Sequence, residues 1–214
     1  MKGLLKKEWF VLWNKPIMIL VPMILFAVMG ISSKNFFMVM YLPLYVGILP
    51  VSLITTDETS RWERFALGMP YSRKDLVSAK YLMSLLLVLG GVLLTSAILV
   101  FVMHSTLTVP QMLLLIAAAL AVSLILPSVL LPLNLKFGTA KARLALAVLL
   151  AVFGCMAAAA FNTKNSSNAF SVIAWLAKLQ FSPQILALLF IAAAAVIMTA
   201  SWLISVIIYR RKQF

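Results

Sequence analysis

Residues 57–75 read DETSRWERFALGMPYSRKD and hold four of the five carboxylates in the 214-residue chain. The segment separates two apolar runs, Phe36–Thr56 and Leu76–His104. Each run reaches the roughly 20 residues that a helix needs to cross about 30 Å of hydrocarbon. The segment is therefore predicted to be a polar connection between two membrane-spanning helices.

The composition extends this prediction to the whole chain. Hydrophobic residues make up 64% and charged residues 11%, and the mean hydropathy is +1.09, whereas a soluble domain is about half apolar and a quarter charged. We expect an all-α membrane protein, one transmembrane domain over residues 1–214, with about six spans. The predicted spans are Ile17–Ile31, Phe36–Thr56, Leu76–His104, Gln111–Leu133, Leu144–Phe161 and Pro183–Tyr209, of which the first and fifth are the shortest.

The net charge of +13 is unevenly distributed. Lysines and arginines cluster before the first span, in the second and fourth connections and after the last span, whereas the other connections hold only Lys34, Lys164 and Lys178. Because basic loops mark the cytoplasmic side, both termini are predicted to be cytoplasmic. The basic residues suit anionic lipid headgroups, and no basic stripe with interleaved aromatic residues indicates a nucleic-acid partner.

Two segments outside the spans are predicted to lie at membrane surfaces. Residues 1–15 are predicted to form an amphipathic helix on the cytoplasmic side, with Pro16 turning the chain into the bilayer. Its apolar face would hold Leu5, Trp9, Leu12 and Trp13. Residues 162–182 begin polar and then turn apolar over a run too short to cross, which predicts a re-entrant or interfacial helix on the outer side.

The charged connection contains signals for a short, bounded helix. Ser60 and Glu63 have the spacing of a capping box, Gly68 is predicted to take a left-handed turn and Pro70 prevents continuation. A second box, Ser72 to Asp75, begins the third span. Two interpretations stay open: a solvated connection with good caps, or a docking surface for another protein, because arginine and aromatic side chains anchor interfaces.

Catalytic and ion-coupling signals are missing from the sequence. No G-x-S-x-G, H-E-x-x-H or phosphate-loop motif occurs, adjacent Asp57 and Glu58 point apart on a helix, and His104 has no metal-ligating companion. We therefore predict no enzyme activity, metal or bound cofactor for this chain. The predicted spans carry no central charge, and Lys80 is expected to snorkel to the surface, which disfavours ion coupling and favours an apolar or amphipathic cargo.

The chain resembles the ABC-2 type permease family over nearly its whole length. The likeness rests on MKGLLKKEWF at residues 1–10, six spans with both ends inside, TDETSRWERFALGMPYSRKDLVSAKYL at residues 56–82, and the apolar outer segment. It is similar in particular to small bacterial members such as the membrane subunits of the phenol-soluble modulin exporter. Its most specific residues are Asp57, Glu58, Trp62, Glu63, Arg64, Leu67, Pro70, Ser72, Arg73, Lys74 and Tyr81.

The resemblance implies a half-transporter in a bacterial plasma membrane. It would pair with a second permease copy or a paralogue, and ATP and Mg would bind to a separate cytoplasmic ABC ATPase. Residues 1–15 would be the elbow helix, and residues 57–75 the coupling segment that docks on the ATPase. The coupling residues would be Asp57, Glu58, Arg61, Trp62, Glu63, Arg64, Phe65, Leu67, Pro70 and Arg73, and a candidate outer gate would be Phe170, Ile173, Trp175 and Leu176.

The leading hypothesis from the sequence is export of amphipathic peptides or lipophilic compounds, a function that would serve antimicrobial peptide resistance. One alternative is a stand-alone membrane immunity or scaffold protein that binds without transport turnover. A second alternative is an ion-coupled carrier, which the uncharged spans disfavour.

Overall fold

The computed structural model describes residues 2–14, 16–33, 36–60, 62–66, 68, 72–103, 109–162 and 182–211. Within these ranges the chain forms eight α-helices and no strand, which confirms the all-α prediction. The helices are α1 (Lys2–Trp13), α2 (Pro16–Ser33), α3 (Phe36–Thr59), α4 (Trp62–Ala66), α5 (Arg73–Met103), α6 (Val109–Phe137), α7 (Thr139–Asn162) and α8 (Pro183–Arg211).

Four described helices are long and apolar enough to cross a membrane. They are α3, α5, α6 and α8, with spanning segments at Val39–Thr59, Arg73–Phe101, Met112–Phe137 and Gln184–Arg210. Helix α2 contributes a shorter apolar segment, Ile19–Ser32, and α7 is 24 residues long. These helices support an integral membrane protein. Six spans would require α2 and α7 to cross the membrane as well, and this stays a prediction.

The basic clusters of the sequence lie together at one end of the helix bundle. Arg73, the first residue of α5, donates hydrogen bonds to the carbonyl oxygens of Tyr209 and Arg210 at the end of α8. Gly138, between α6 and α7, lies beside the carboxylate of Glu58 at the end of α3. We call this region the charged end; consecutive long helices run alternately toward and away from it.

Close helix approach in the core depends on two glycines of neighbouring helices. A Cβ atom on Gly47 of α3 would lie 2.7 Å from the carbonyl oxygen of Ser123 in α6. A Cβ atom on Gly91 of α5 would lie 3.1 Å from the side chain of Val46. Small residues thus let α3 pack directly against α5 and α6, as is usual in membrane helix packing.

A polar seam joins α5, α6 and α8 in the bundle interior. The Tyr81 hydroxyl forms hydrogen bonds with the hydroxyls of Ser201 and Ser205, at 2.6 and 2.7 Å. Ser201 donates in turn to the carbonyl oxygen of Ser128, at 2.5 Å. These bonds fix α8 to both of its neighbours, and α6 and α8 form the most extensive helix pair of the described chain.

Helix α1 is present, and its predicted apolar residues are divided between the bundle and the exposed surface. Leu4 and Leu12 are buried against the bundle, whereas Trp9 and Trp13 are exposed and stack with ring centroids 6.0 Å apart. Leu12 therefore packs on the bundle while the tryptophans face outward, and the assignment of Leu5, Trp9, Leu12 and Trp13 to a membrane surface stays a prediction. Tryptophans in this position suit a membrane interface.

Most of the predicted outer segment lies outside the described residues. Of residues 162–182 the structure describes only Asn162, which ends α7, and Ser182, which precedes α8. The candidate gate residues are all outside the described chain: Phe170, Ile173, Trp175 and Leu176.

Candidate functional site

Four charged side chains from three helices meet at the charged end. The ammonium groups of Lys7 in α1 and Lys80 in α5 both contact the carboxylate of Asp57 in α3, one on each oxygen. The same two ammonium groups lie 3.3 and 3.5 Å from Oε1 of Glu8. We call Lys7, Glu8, Asp57 and Lys80 the ion quartet.

The quartet is buried and electrically balanced. Glu8, Asp57 and Lys80 retain 3%, 2% and 8% of their surface, and only Lys7 is partly open. Removing a charge from water costs several kcal/mol per ion, so buried ions are tolerated when opposite charges and hydrogen bonds compensate them. Two lysines and two carboxylates sum to zero charge, and each member depends on the others.

Helix α4 rests on this quartet. The Lys7 ammonium lies 4.9 Å from the ring centroid of Trp62, the first residue of α4, which is a cation–π geometry. Ala66 at the other end of the helix is fully buried. Phe65 packs its ring 5.4 Å from that of Trp62 but exposes 62% of its surface. The short helix is thus anchored on one side and presents an aromatic side chain on the other.

The two ends of the connection are built differently from each other. The Ser72 hydroxyl and amide both donate to Oδ2 of Asp75, at 2.7 and 3.2 Å, and the Asp75 amide donates back to the Ser72 hydroxyl oxygen. This arrangement confirms the predicted capping box at the start of α5. The Ser60 hydroxyl donates to the carbonyl oxygen of Thr56, at 2.8 Å, so this side chain belongs to the end of α3.

The predicted left-handed turn at Gly68 is wrong. The Gly68 amide donates to the carbonyl oxygen of Phe65, at 3.1 Å, in a tight turn whose glycine has no positive φ. Among the described glycines a positive φ occurs at Gly138, where it is 78°. The left-handed backbone at Gly138 joins the end of α6 to the start of α7. The Gly138 amide donates a hydrogen bond to the carbonyl oxygen of Asn134, in the last turn of α6.

The predicted coupling residues are divided among three environments. Asp57 is internal and serves the quartet, Arg73 is bound to α8, and Glu58 lies on the exposed side of α3. Trp62 is half-buried and Phe65 is exposed. The remaining predicted positions are Arg61, Leu67 and Pro70, which the structure does not describe, and Glu63 and Arg64, whose side chains it does not describe.

Sequence reasoning missed Glu8 and misplaced Lys80. Lys80 was expected to snorkel outward, and that prediction is wrong because its ammonium group turns inward to Asp57. Glu8 is the single carboxylate outside residues 57–75 and lies four residues from both Leu4 and Leu12, on their buried face. An acid in that register signals a buried basic partner, since an unpaired buried carboxylate is costly.

A small cavity lies between the quartet and α4. Its volume is about 10 Å³, and Glu8, Asp57, Lys80 and Tyr209 contribute its polar lining. The described apolar residues that line it are Leu4, Trp62, Ala66, Leu76 and Ala79. A wider open depression of about 460 Å³ lies between α1 and the end of α3, against Phe10, Trp13 and Thr56.

The residues of the charged end can hold other parts of the chain in position. The described residues contain no group of three or more His, Cys, Asp or Glu side chains placed to hold a metal. The quartet carboxylates are committed to lysines, and they connect α1, α3 and α5 beneath a short helix. An ion cluster in this place holds the short helix α4 in a fixed orientation at the surface.

Comparison with known proteins gives one family match. The family model described as "ABC-2 family transporter protein" matches residues 3–210, a range that includes the quartet, α4 and the polar seam. No curated protein and no solved structure gives a significant match.

Proposed function

This chain belongs to the ABC-2 transporter family, and from that membership we propose that it is the membrane subunit of an ATP-driven exporter. The family supports a permease component of an ABC transporter that associates with an ABC ATPase. The finer proposal is that this ATPase is a separate cytoplasmic protein, which would bind the ATP and Mg that drive transport. The charged end would then face the cytoplasm, with both termini on that side, as the positive-inside rule favours.

One observation carries the docking proposal. Helix α4 is held from below by Ala66 and by the Lys7–Trp62 contact, while Phe65 projects outward with most of its surface exposed. A short rigid element with an outward aromatic side chain suits a protein–protein anchor. We therefore assign α4 as the element that the ATPase contacts, and propose Glu58 as a neighbouring contact.

This assignment revises the role of Asp57. It remains important for coupling, but its carboxylate holds the base of the site and would not contact the ATPase itself. Arg73 likewise fixes the ends of α5 and α8. Among the positions with described side chains, direct contact would fall to Phe65 and the exposed part of Trp62.

The proposed cargo follows from the character of the helices. In the described spans, Asp, Glu, Lys and Arg occur only near the charged end, and α2, α7 and α8 expose long apolar faces. Such faces suit lipid or a second permease copy, and a path between two such subunits would be apolar. We propose amphipathic peptides or lipophilic compounds as cargo and a dimer of permeases as the assembly.

Site-specific photocrosslinking in cells tests the docking proposal. A benzophenone amino acid replaces Phe65, and the same group at Leu188, exposed near the far end of α8, is the matched control. We expect the probe at position 65 to capture a protein with a phosphate-loop ATPase sequence and the probe at 188 to capture none. Capture of no ATPase at 65, or the same ATPase at 188, would refute the assignment.

Transport in inverted vesicles separates the proposal from its alternatives. A fluorescent amphipathic peptide should accumulate when ATP is added and should continue to do so after the ion gradients are dissipated. Accumulation that ends with the gradients while ATP persists would favour an ion-coupled carrier. Peptide binding with no accumulation would favour the stand-alone immunity or scaffold protein.

A further inference from the structure

One polar atom of the ion quartet lacks a hydrogen-bond partner. Oε2 of Glu8 is buried and has no partner among the described residues, although Oε1 of the same carboxylate faces both lysines. An ionised carboxylate only accepts hydrogen bonds, so the missing partner must be a donor. Buried polar atoms in native proteins are almost always satisfied by protein or by ordered water.

The size of the cavity that Glu8 lines limits which donor can occupy it. It holds about 10 Å³, which is close to the 10 to 15 Å³ that a single water molecule needs. Glu8, Asp57 and Lys80 all line it, and this gives a bound molecule the polar neighbours that buried water requires. The volume therefore matches one water molecule.

Charge excludes an ion in the same place. Lys7 and Lys80 already balance Glu8 and Asp57, so an added cation would leave a buried net charge. An anion would meet the unpartnered carboxylate oxygen and would supply no donor. The ligand that satisfies size, neutrality and donor character together is water.

We propose that one ordered water molecule occupies this cavity and donates to Oε2 of Glu8. Its other hydrogen bonds go to Asp57 and Lys80. Because Trp62 and Ala66 form the side of the cavity that belongs to α4, the water lies directly beneath that helix. The inference does not depend on what α4 contacts or on what the protein transports.

X-ray radiolysis with mass spectrometry tests the site in the full chain reconstituted in lipid nanodiscs. Radicals formed from a bound water oxidise the side chain next to it, even where that side chain is closed to bulk solvent. Tyr209 lines the cavity and is 3% exposed, whereas Tyr81 is 5% exposed and lies in the polar seam. We expect Tyr209 to be oxidised more than Tyr81. After transfer of the protein to ¹⁸O water, ¹⁸O should appear in oxidised Tyr209 only slowly, because the bound water exchanges slowly with the bulk.

Two variants locate the water. Ala79→Val fills the cavity without changing a charge, and Glu8→Leu removes the acceptor; both should reduce Tyr209 oxidation to the level of Tyr81. Wild-type oxidation of Tyr209 that does not exceed that of Tyr81 would overturn the proposal, even if neither variant folds. A folded Ala79→Val protein with unchanged Tyr209 oxidation would also overturn it, because the water would then lie elsewhere.

Discussion

The ammonium group of Lys80 contacts the carboxylate of Asp57, 23 residues earlier in the chain and on a different helix. Both side chains are buried, so salt screens this contact much less than it would screen an exposed ion pair. Glu8 and Lys7 complete the charge balance from α1. The stability of the charged end therefore depends on these residues as a set.

Lys80→Met should destabilise the protein strongly. Breaking a buried ion pair by removing one partner costs about 3–5 kcal/mol, because the other charge stays buried. The double variant Lys80→Met with Asp57→Leu leaves Lys7 and Glu8 balanced and should regain a large part of the loss. Thermal unfolding followed by circular dichroism measures both, with Lys6→Met on the exposed side of α1 as control. Equal losses for Lys80→Met and Lys6→Met would contradict the quartet.

Gly47→Ala should weaken the packing of α3 on α6. The new Cβ atom would meet the Ser123 carbonyl oxygen at 2.7 Å, and backbone cannot move aside as a flexible side chain can. Overpacking of this kind costs about 1–3 kcal/mol. Gly90→Ala is the matched control, since nothing lies within 4 Å of its Cβ position, and better helix propensity should stabilise it slightly. The same stability measurement compares them, and a neutral Gly47→Ala would exclude the close approach.

Tyr81→Phe should loosen α8 without unfolding the bundle. The substitution removes the hydroxyl that bonds Ser201 and Ser205 and keeps the ring. Hydrogen bonds between membrane helices average about 0.6 kcal/mol, so the expected loss is about 1 kcal/mol. Tyr41→Phe, whose ring stacks on Phe26, is the control and should lose less. Hydrogen exchange at the α8 end of the seam should rise only in Tyr81→Phe.

Ser72→Ala should cost about 1 kcal/mol, as the loss of a helix N-cap usually does. The reason is that its hydroxyl accepts from the Asp75 amide at the first turn of α5. Ser60→Ala provides a contrast, because that hydroxyl donates to carbonyl oxygens already within α3 and caps no amide there. Chemical denaturation gives the free energy of unfolding of both variants. A larger loss of unfolding free energy for Ser60→Ala than for Ser72→Ala would contradict the assignment of the caps.

Phe65→Ala should separate docking from folding, if the proposed function is right. An exposed aromatic anchor at an interface typically contributes at least about 2 kcal/mol to binding, or roughly 30-fold in affinity. We expect weaker association with the ATPase and loss of ATP-dependent peptide uptake, at unchanged thermal stability. Leu188→Ala at the distant end of α8 should leave the association with the ATPase unchanged. Full transport by Phe65→Ala would remove α4 from the docking surface.

Composition and hydrophobic runs are sufficient to predict the fold class. In lipid, the backbone N–H and C=O groups of a long apolar segment must form hydrogen bonds within the protein, and a helix makes all of them within the segment. The Ser72 to Asp75 cap was also predictable, because both partners lie within one helical turn. These features depend on neighbours in sequence, and periodicity and spacing report such neighbours directly.

The features that the sequence did not reveal depend on contacts between distant helices. A hydrophobic pattern does not distinguish Leu12 from Trp9 on α1, although the bundle buries Leu12 and leaves Trp9 exposed. Lys80 was placed at the surface because a single lysine near a span end usually snorkels. Its inward direction required a carboxylate from α3 and another from α1, which local spacing does not show.

The members of the ion quartet are synthesised at different times. Glu8 leaves the ribosome 72 residues before Lys80, so α1 is made long before its charges can be fully neutralised. The contact of α1 with Lys80 forms only after α5 has been made. A nascent chain stalled before that point would hold Lys7, Glu8 and Asp57 with one negative charge left uncompensated.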